Sequence, residues 1–170
     1  MKFTLSLILF AALVSRATAD FDVYMELKTE FWLVSQFAIW QEPPTDCVRQ
    51  IWPAPSWPWL NDVSGNKKGV RCKGDGCDFN GDAHNIEQLE MHFSNNPLYH
   101  WTLYNVRGAD GGNMVGLDGK VYGACYVDQD DPLADYVCYT PSGGDNIWRG
   151  GNRKFRCESR FTAKDILDTK

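Results

Sequence analysis

Residues 89–104 read LEMHFSNNPLYHWTLY, and the fold turns on how this stretch is paired. Two arms rich in aromatic and large apolar residues flank Ser94-Asn95-Asn96-Pro97. Asn tolerates positive φ and Pro fixes its own, so the four residues favour a turn. The pattern predicts a β-hairpin. Side chains alternate along a strand. On the first arm Leu89, Met91 and Phe93 therefore share one face, and Glu90 and His92 the other. On the second, His100, Thr102 and Tyr104 oppose Tyr99, Trp101 and Leu103.

Working outward, residues 21–28 (FDVYMELK) alternate as a half-buried strand. Residues 31–40 (FWLVSQFAIW) form a second apolar run, short enough for a buried strand, although period alone does not separate it from a helix. Residues 70–72 make a short strand. Residues 114–127 (MVGLDGKVYGACYV) form a hairpin about Asp118-Gly119, a favoured two-residue turn. Further strands are expected at 136–139 and 154–161. Thr45 or Asp46 caps a short helix over 47–51, and Thr162 caps another near the C-terminus. Residues 128–135 read as an acidic loop and 141–151 as a polar, glycine-rich loop. No linker or repeat divides the chain. The expected fold is mainly β, a single-domain antiparallel sandwich or barrel with one or two short helices and three disulfides.

The first nineteen residues carry a secretory pattern: Lys2, an apolar core over 3–14, and Ala17-Thr18-Ala19 as the small-residue cleavage site. The apolar run is too short to span a bilayer. The expectation is a leader over 1–19 and one disulfide-stabilised, β-rich domain over 20–170, secreted and without a membrane span. Losing Lys2 and Arg16 with the leader takes the formal net charge from −5 to −7. Such an acidic surface argues against nucleic acid as the general partner.

All six cysteines, Cys47, Cys72, Cys77, Cys125, Cys138 and Cys157, follow the leader. An even count in an exported chain predicts three disulfides. No C-x-x-C pair or histidine at ligand spacing suggests zinc. Six cysteines allow 15 pairings; the pairing expected here is Cys72–Cys77, Cys125–Cys138 and Cys47–Cys157, the last tying the two ends of the domain together.

Four sets of residues carry chemistry worth testing. Glu90, His92 and His100 are a carboxylate and two imidazoles on neighbouring strands, as general acid–base catalysis requires. Register decides their fate. A tight turn at Asn95-Asn96 places His92 opposite Tyr99 and sends the rings to opposite faces; a five-residue loop sets His92 against His100. The tight turn fits Asn95-Asn96 better, so ordinary strand histidines are expected. Trp52, Trp57 and Trp59 lie in WPAPSWPW (52–59), whose three prolines forbid a helix. These tryptophans either fold back over the core as a lid, the favoured outcome, or lie open as a binding platform. Asp78, Asn80 and Asp82 resemble the opening of a calcium loop, but the glycine falls at Gly81 and Leu89 stands where a bidentate Glu is needed. A solvated turn is expected, with no metal or other cofactor. Finally, the basic residues cluster at 67–73 and 149–160. That distribution would suit an anionic partner, but a solvated strand face with neighbouring acids is the favoured outcome. No serine-hydrolase elbow or phosphate loop occurs.

Taken together, the leader, six cysteines, abundant aromatics and the segments DVSGNKKGVRC, EMHFSNNPLYHWTLY, GLDGKVYGAC and RKFRC resemble the small cysteine-rich secreted proteins of filamentous fungi, of the effector-candidate type. The resemblance implies an extracellular, host-directed protein that works by binding and carries no catalytic residue over. The expected function is recognition of an extracellular protein target, including inhibition of a host hydrolase such as a protease. The loops on the sheet, with Trp52, Trp57 and Trp59 and residues 141–151, are the candidate surface. The alternatives are a small secreted hydrolase, ribonuclease-like or glycan-active, using Glu90, His92 and His100, and a carbohydrate-binding module using the Trp-Pro segment.

Overall fold

The computed structural model describes residues 19–29, 33–104, 106, 108–128, 131, 135–142 and 145–169. Residues 1–18 of the leader expected over 1–19, the start of the apolar run at Phe31 and Trp32, and most of the acidic loop lie outside them.

The described chain is mainly β. Its ten strands are β1 (Ala19–Thr29), β2 (Leu33–Trp40), β3 (Trp57–Pro58), β4 (Gly69–Gly74), β5 (Ile86–His92), β6 (His100–Tyr104), β7 (Gly111–Gly116), β8 (Val121–Val127), β9 (Tyr136–Ser142) and β10 (Asp145–Ser159). All pairings are antiparallel, in the order β3-β2-β1-β10-β8-β7-β6-β5-β4. The residues after β3 then reach β4: Cys72 N donates to Trp59 O at 3.0 Å and Asn61 N to Val70 O at 3.1 Å. This seam makes the sheet a nearly closed barrel.

β10 is 15 residues long and serves two neighbours along one edge. Its second half pairs with β8 and its first half with β9, so β9 extends the sheet beyond the barrel. Residues 145–151, expected as part of a polar loop, are thus the first half of a strand. Their strand partners outweigh their glycine-rich composition.

Large apolar side chains fill the barrel, among them Phe21, Phe37, Leu89, Met91, Trp101 and Phe155, each 0% exposed. One end is covered by α1 (Ala163–Leu167), begun by a Thr162/Asp165 capping box. Phe161, just before it, stacks on Phe21 with ring centroids 5.8 Å apart. A smaller core of Tyr24, Ile51, Tyr136 and Cys138 lies on the outer side of β1 and β10. It is covered by the single helical turn Cys47–Ile51, which Asp46 caps by accepting from Val48 N and Arg49 N at 2.9 Å.

The disulfides are Cys72–Cys77, Cys47–Cys138 and Cys125–Cys157. The first is as expected; the pairings Cys125–Cys138 and Cys47–Cys157 are corrected. Cys125 and Cys157 face each other across the β8–β10 ladder. Cys138, on the strand that leaves the barrel, meets Cys47 in the helical turn beside it. Strand adjacency, which spacing along the chain does not encode, chose the partners.

Candidate functional site

The β5–β6 hairpin brings Glu90, His92 and His100 together. His92 pairs directly with His100, so the tight-turn register is corrected and the longer loop obtains. The reason is local. Asn96 accepts from Leu98 N through its side chain and caps a helical turn, Pro97–Tyr99, with Pro97 at its first position. Phe93 N then donates to Tyr99 O at 2.9 Å. Asn-Pro here starts a helical turn instead of closing a hairpin.

The two imidazoles stack at 3.9 Å between centroids and 10° between planes. His100 Nε2 donates to Glu90 Oε1 at 3.1 Å, and Arg71 holds the other oxygen at 2.5 Å. His92 Nδ1 lies 3.3 Å from the Val63 carbonyl, and its Nε2 has no hydrogen-bond partner. The residues for general acid–base chemistry are therefore assembled on one face. They are also enclosed: Glu90, His92 and His100 are 8%, 1% and 5% exposed. His84 is elsewhere, its Nδ1 2.8 Å from Asp82 Oδ1.

The tryptophans divide. Trp57 is 8% exposed and meets Phe93 edge to face at 4.8 Å. Trp59 packs against the main core and Trp52 against the smaller one, where Lys28 Nζ lies 5.9 Å from its ring. These side chains act chiefly as packing and present no common open platform.

Around Asp78, Asn80 and Asp82 no group of three or more His, Cys, Asp or Glu side chains is placed to hold a metal among the described residues. A cation is nevertheless present in covalent form. The β1–β10 register shifts between Val23 and Tyr24, leaving Lys154 as an extra residue between Arg153 and Phe155. The bulge aims its ammonium at the loop, where it donates to Phe79 O at 3.0 Å and to Gly81 O. Burial pulls the Lys154 amine down to about 8, against the opposing pull of Asp135, Asp82 and Asp78.

The basic residues of β10 are likewise used internally. Arg149 binds Glu26 at 2.6 Å, Arg153 binds Asp128 at 2.8 Å, and Arg156 binds Asp22 at 2.9 Å. Burial raises the carboxyls of Glu26 and Asp22 in spite of these partners. Arg149, Arg153 and Lys154 are 2%, 6% and 0% exposed, so they form no anion-binding patch.

One surface escaped the sequence reading. Register carries Ser35, Leu27, Gly150 and Val137 across four strands in one row, and Leu33, Thr29, Trp148 and Tyr139 in the next. Both rows face the same way. Leu33, Val137 and Tyr139 are 66%, 54% and 70% exposed. Beside them, Leu27 and Ser35 line an open depression with residues 78–81. Phe79 meets Trp148 edge to face at 6.4 Å, and Gly150 permits the approach, since a Cβ there would lie 3.0 Å from the Trp148 ring. The local signal was the alternation of Tyr136 and Cys138 with Val137 and Tyr139. Only the pairing with β10 turned that alternation into a surface.

Compared with protein-family models, with curated proteins and with solved structures, the chain matches none. Fold and chemistry define a disulfide-bonded antiparallel β-barrel with an open apolar face at one end. No helix among the described residues is long and apolar enough to cross a membrane.

Proposed function

We propose that this chain is an exported, disulfide-locked barrel that binds an extracellular target at its open end. The observation that carries the proposal is the exposure of Leu33, Val137 and Tyr139 beside the depression at residues 78–81. Large apolar side chains held out on a sheet gain free energy when a partner covers them, and tyrosine is enriched at such interfaces. Three disulfides are compatible with an extracellular protein. The resemblance to fungal effector candidates supplies the remainder: the target is a host protein, and a secreted hydrolase such as a protease is the first to try. In the test, Tyr139→Ala with Val137→Ser loses capture or inhibition of that target while its unfolding midpoint stays unchanged. Retained binding by the folded variant rejects this surface.

A second reading rests on Glu90, His92 and His100 sharing one face. It makes the protein a small hydrolase of RNA or glycans, active once the set meets solvent. Full activity of His92→Ala on such substrates removes it.

A further inference from the structure

Residues 61–68 cross the outside of the barrel between β3 and β4. Asp62, Ser64, Gly65, Asn66, Lys67 and Lys68 are exposed, whereas Val63 is 1% exposed. The hydrogen bonds within the loop are local: Ser64 N donates to Asp62 Oδ1 at 3.0 Å and Lys67 N to Ser64 O at 3.1 Å. At the ends, Asn61 N reaches Val70 O and Lys68 Nζ reaches Thr169 O at 3.3 Å. In the middle, the loop is held by the buried Val63 side chain and by the Val63 carbonyl facing His92.

That contact assigns a tautomer. A carbonyl only accepts, so neutral His92 carries its hydrogen on Nδ1 and a lone pair on Nε2. Nε2 is buried without a partner. The charged groups facing the stack are Glu90 on β5 and Arg71 on β4. Glu90 is already shared between Arg71 and His100. From β6 come His100 and the neutral Thr102, and the loop contributes the Val63 carbonyl.

We propose that Val63 and His92 form an acid-released latch, in which proton uptake at His92 Nε2 frees residues 61–68 from the barrel wall. The bound proton creates a charged ring and an N–H donor with no acceptor, buried 3.9 Å from a second imidazole. An unmatched buried donor and charge are relieved when water enters. Water enters here when Val63 lifts. Proton uptake is the trigger, so acidification is what releases the loop.

Amide hydrogen exchange on the oxidised protein tests the latch. After correction for intrinsic rates, the hydrogen-bonded amides of the loop, Asn61, Ser64 and Lys67, lose at least about tenfold of their protection between about pH 7 and pH 5, while β1 and β10 keep theirs. His92→Phe retains an aromatic ring but takes no proton, and its loop stays protected at both values. Unchanged loop protection in the unmodified protein overturns the proposal, as does equal acid release in His92→Phe. Should that variant not fold, imidazole nitrogen resonances decide. The latch requires a neutral Nδ1–H His92 at the higher pH and loop amide shifts that move with the His92 ring; a different tautomer or a different midpoint overturns it.

Discussion

The Arg149 guanidinium meets the Glu26 carboxylate at 2.6 Å with the two side chains 2% and 0% exposed. Gln36 and Tyr136 also donate to Glu26, and Arg149 reaches the carbonyls of Ile51 and Ala54. This network pins the Pro-rich segment to β1 and β10. Removing one partner leaves a buried charge unmatched. Arg149→Met is expected to lower stability by about 3–5 kcal/mol, whereas the double change Glu26→Leu with Arg149→Met recovers most of that loss. Denaturant unfolding of the three proteins checks it.

Two aromatic residues separate packing from surface. Trp57 is core against Phe93, so Trp57→Ala should lower stability by about 3–5 kcal/mol. Tyr139 is 70% exposed, and Tyr139→Ala should change stability by no more than about 0.5 kcal/mol. Thermal and denaturant midpoints compare them directly. Equal losses would place the tryptophan on the surface or the tyrosine in the core.

Peptide mapping without reduction should recover Cys47 linked to Cys138 and Cys125 linked to Cys157. Replacing Cys47 and Cys138 by Ala opens a link spanning 91 residues. The expected loss is about 2–5 kcal/mol, arising mainly from the freed unfolded chain. β9 and the helical turn at Cys47–Ile51 should show the largest increase in amide exchange.

Lys154 couples the residue 78–82 loop to pH. Its folded amine titrates near 8, below the ordinary lysine value of 10.5. Below 8 both folded and unfolded chains hold the proton, and the penalty of burying the ammonium is fully present. Between 8 and 10.5 the unfolded chain binds more protons, so this group's contribution to stability rises with pH. Relative to Lys154→Met, the unmodified protein should therefore gain stability across that interval. At neutral pH the variant leaves the carbonyls of Phe79 and Gly81 without their donor, and amides of residues 78–82 should exchange faster.

Much of this molecule is local and was legible from residue order. Alternation at residues 21–28 and 114–127 defined strands, and Asp46 and Thr162 capped their helices. The hairpin at 114–127 also formed, but its turn is Leu117–Gly119, with Gly116 N donating to Lys120 O at 2.9 Å and Gly119 at φ 74°, and not the two-residue Asp118-Gly119 turn expected. Such signals act over a few residues, so short windows contain them. The candidate site depended on longer relations. Asn96-Pro97 supported either a tight turn or a helical one, and the choice moved His92 from the face opposite His100 into contact with it. Disulfide partners followed from which strands became neighbours. The fate of the β10 cations followed from which face the Pro-rich segment and β9 covered. Residue order alone dictated a disulfide-bearing, antiparallel β chain with its strands and helix caps. Tertiary structure decided register, cross-links and exposure, because each is a relation between segments distant along the chain.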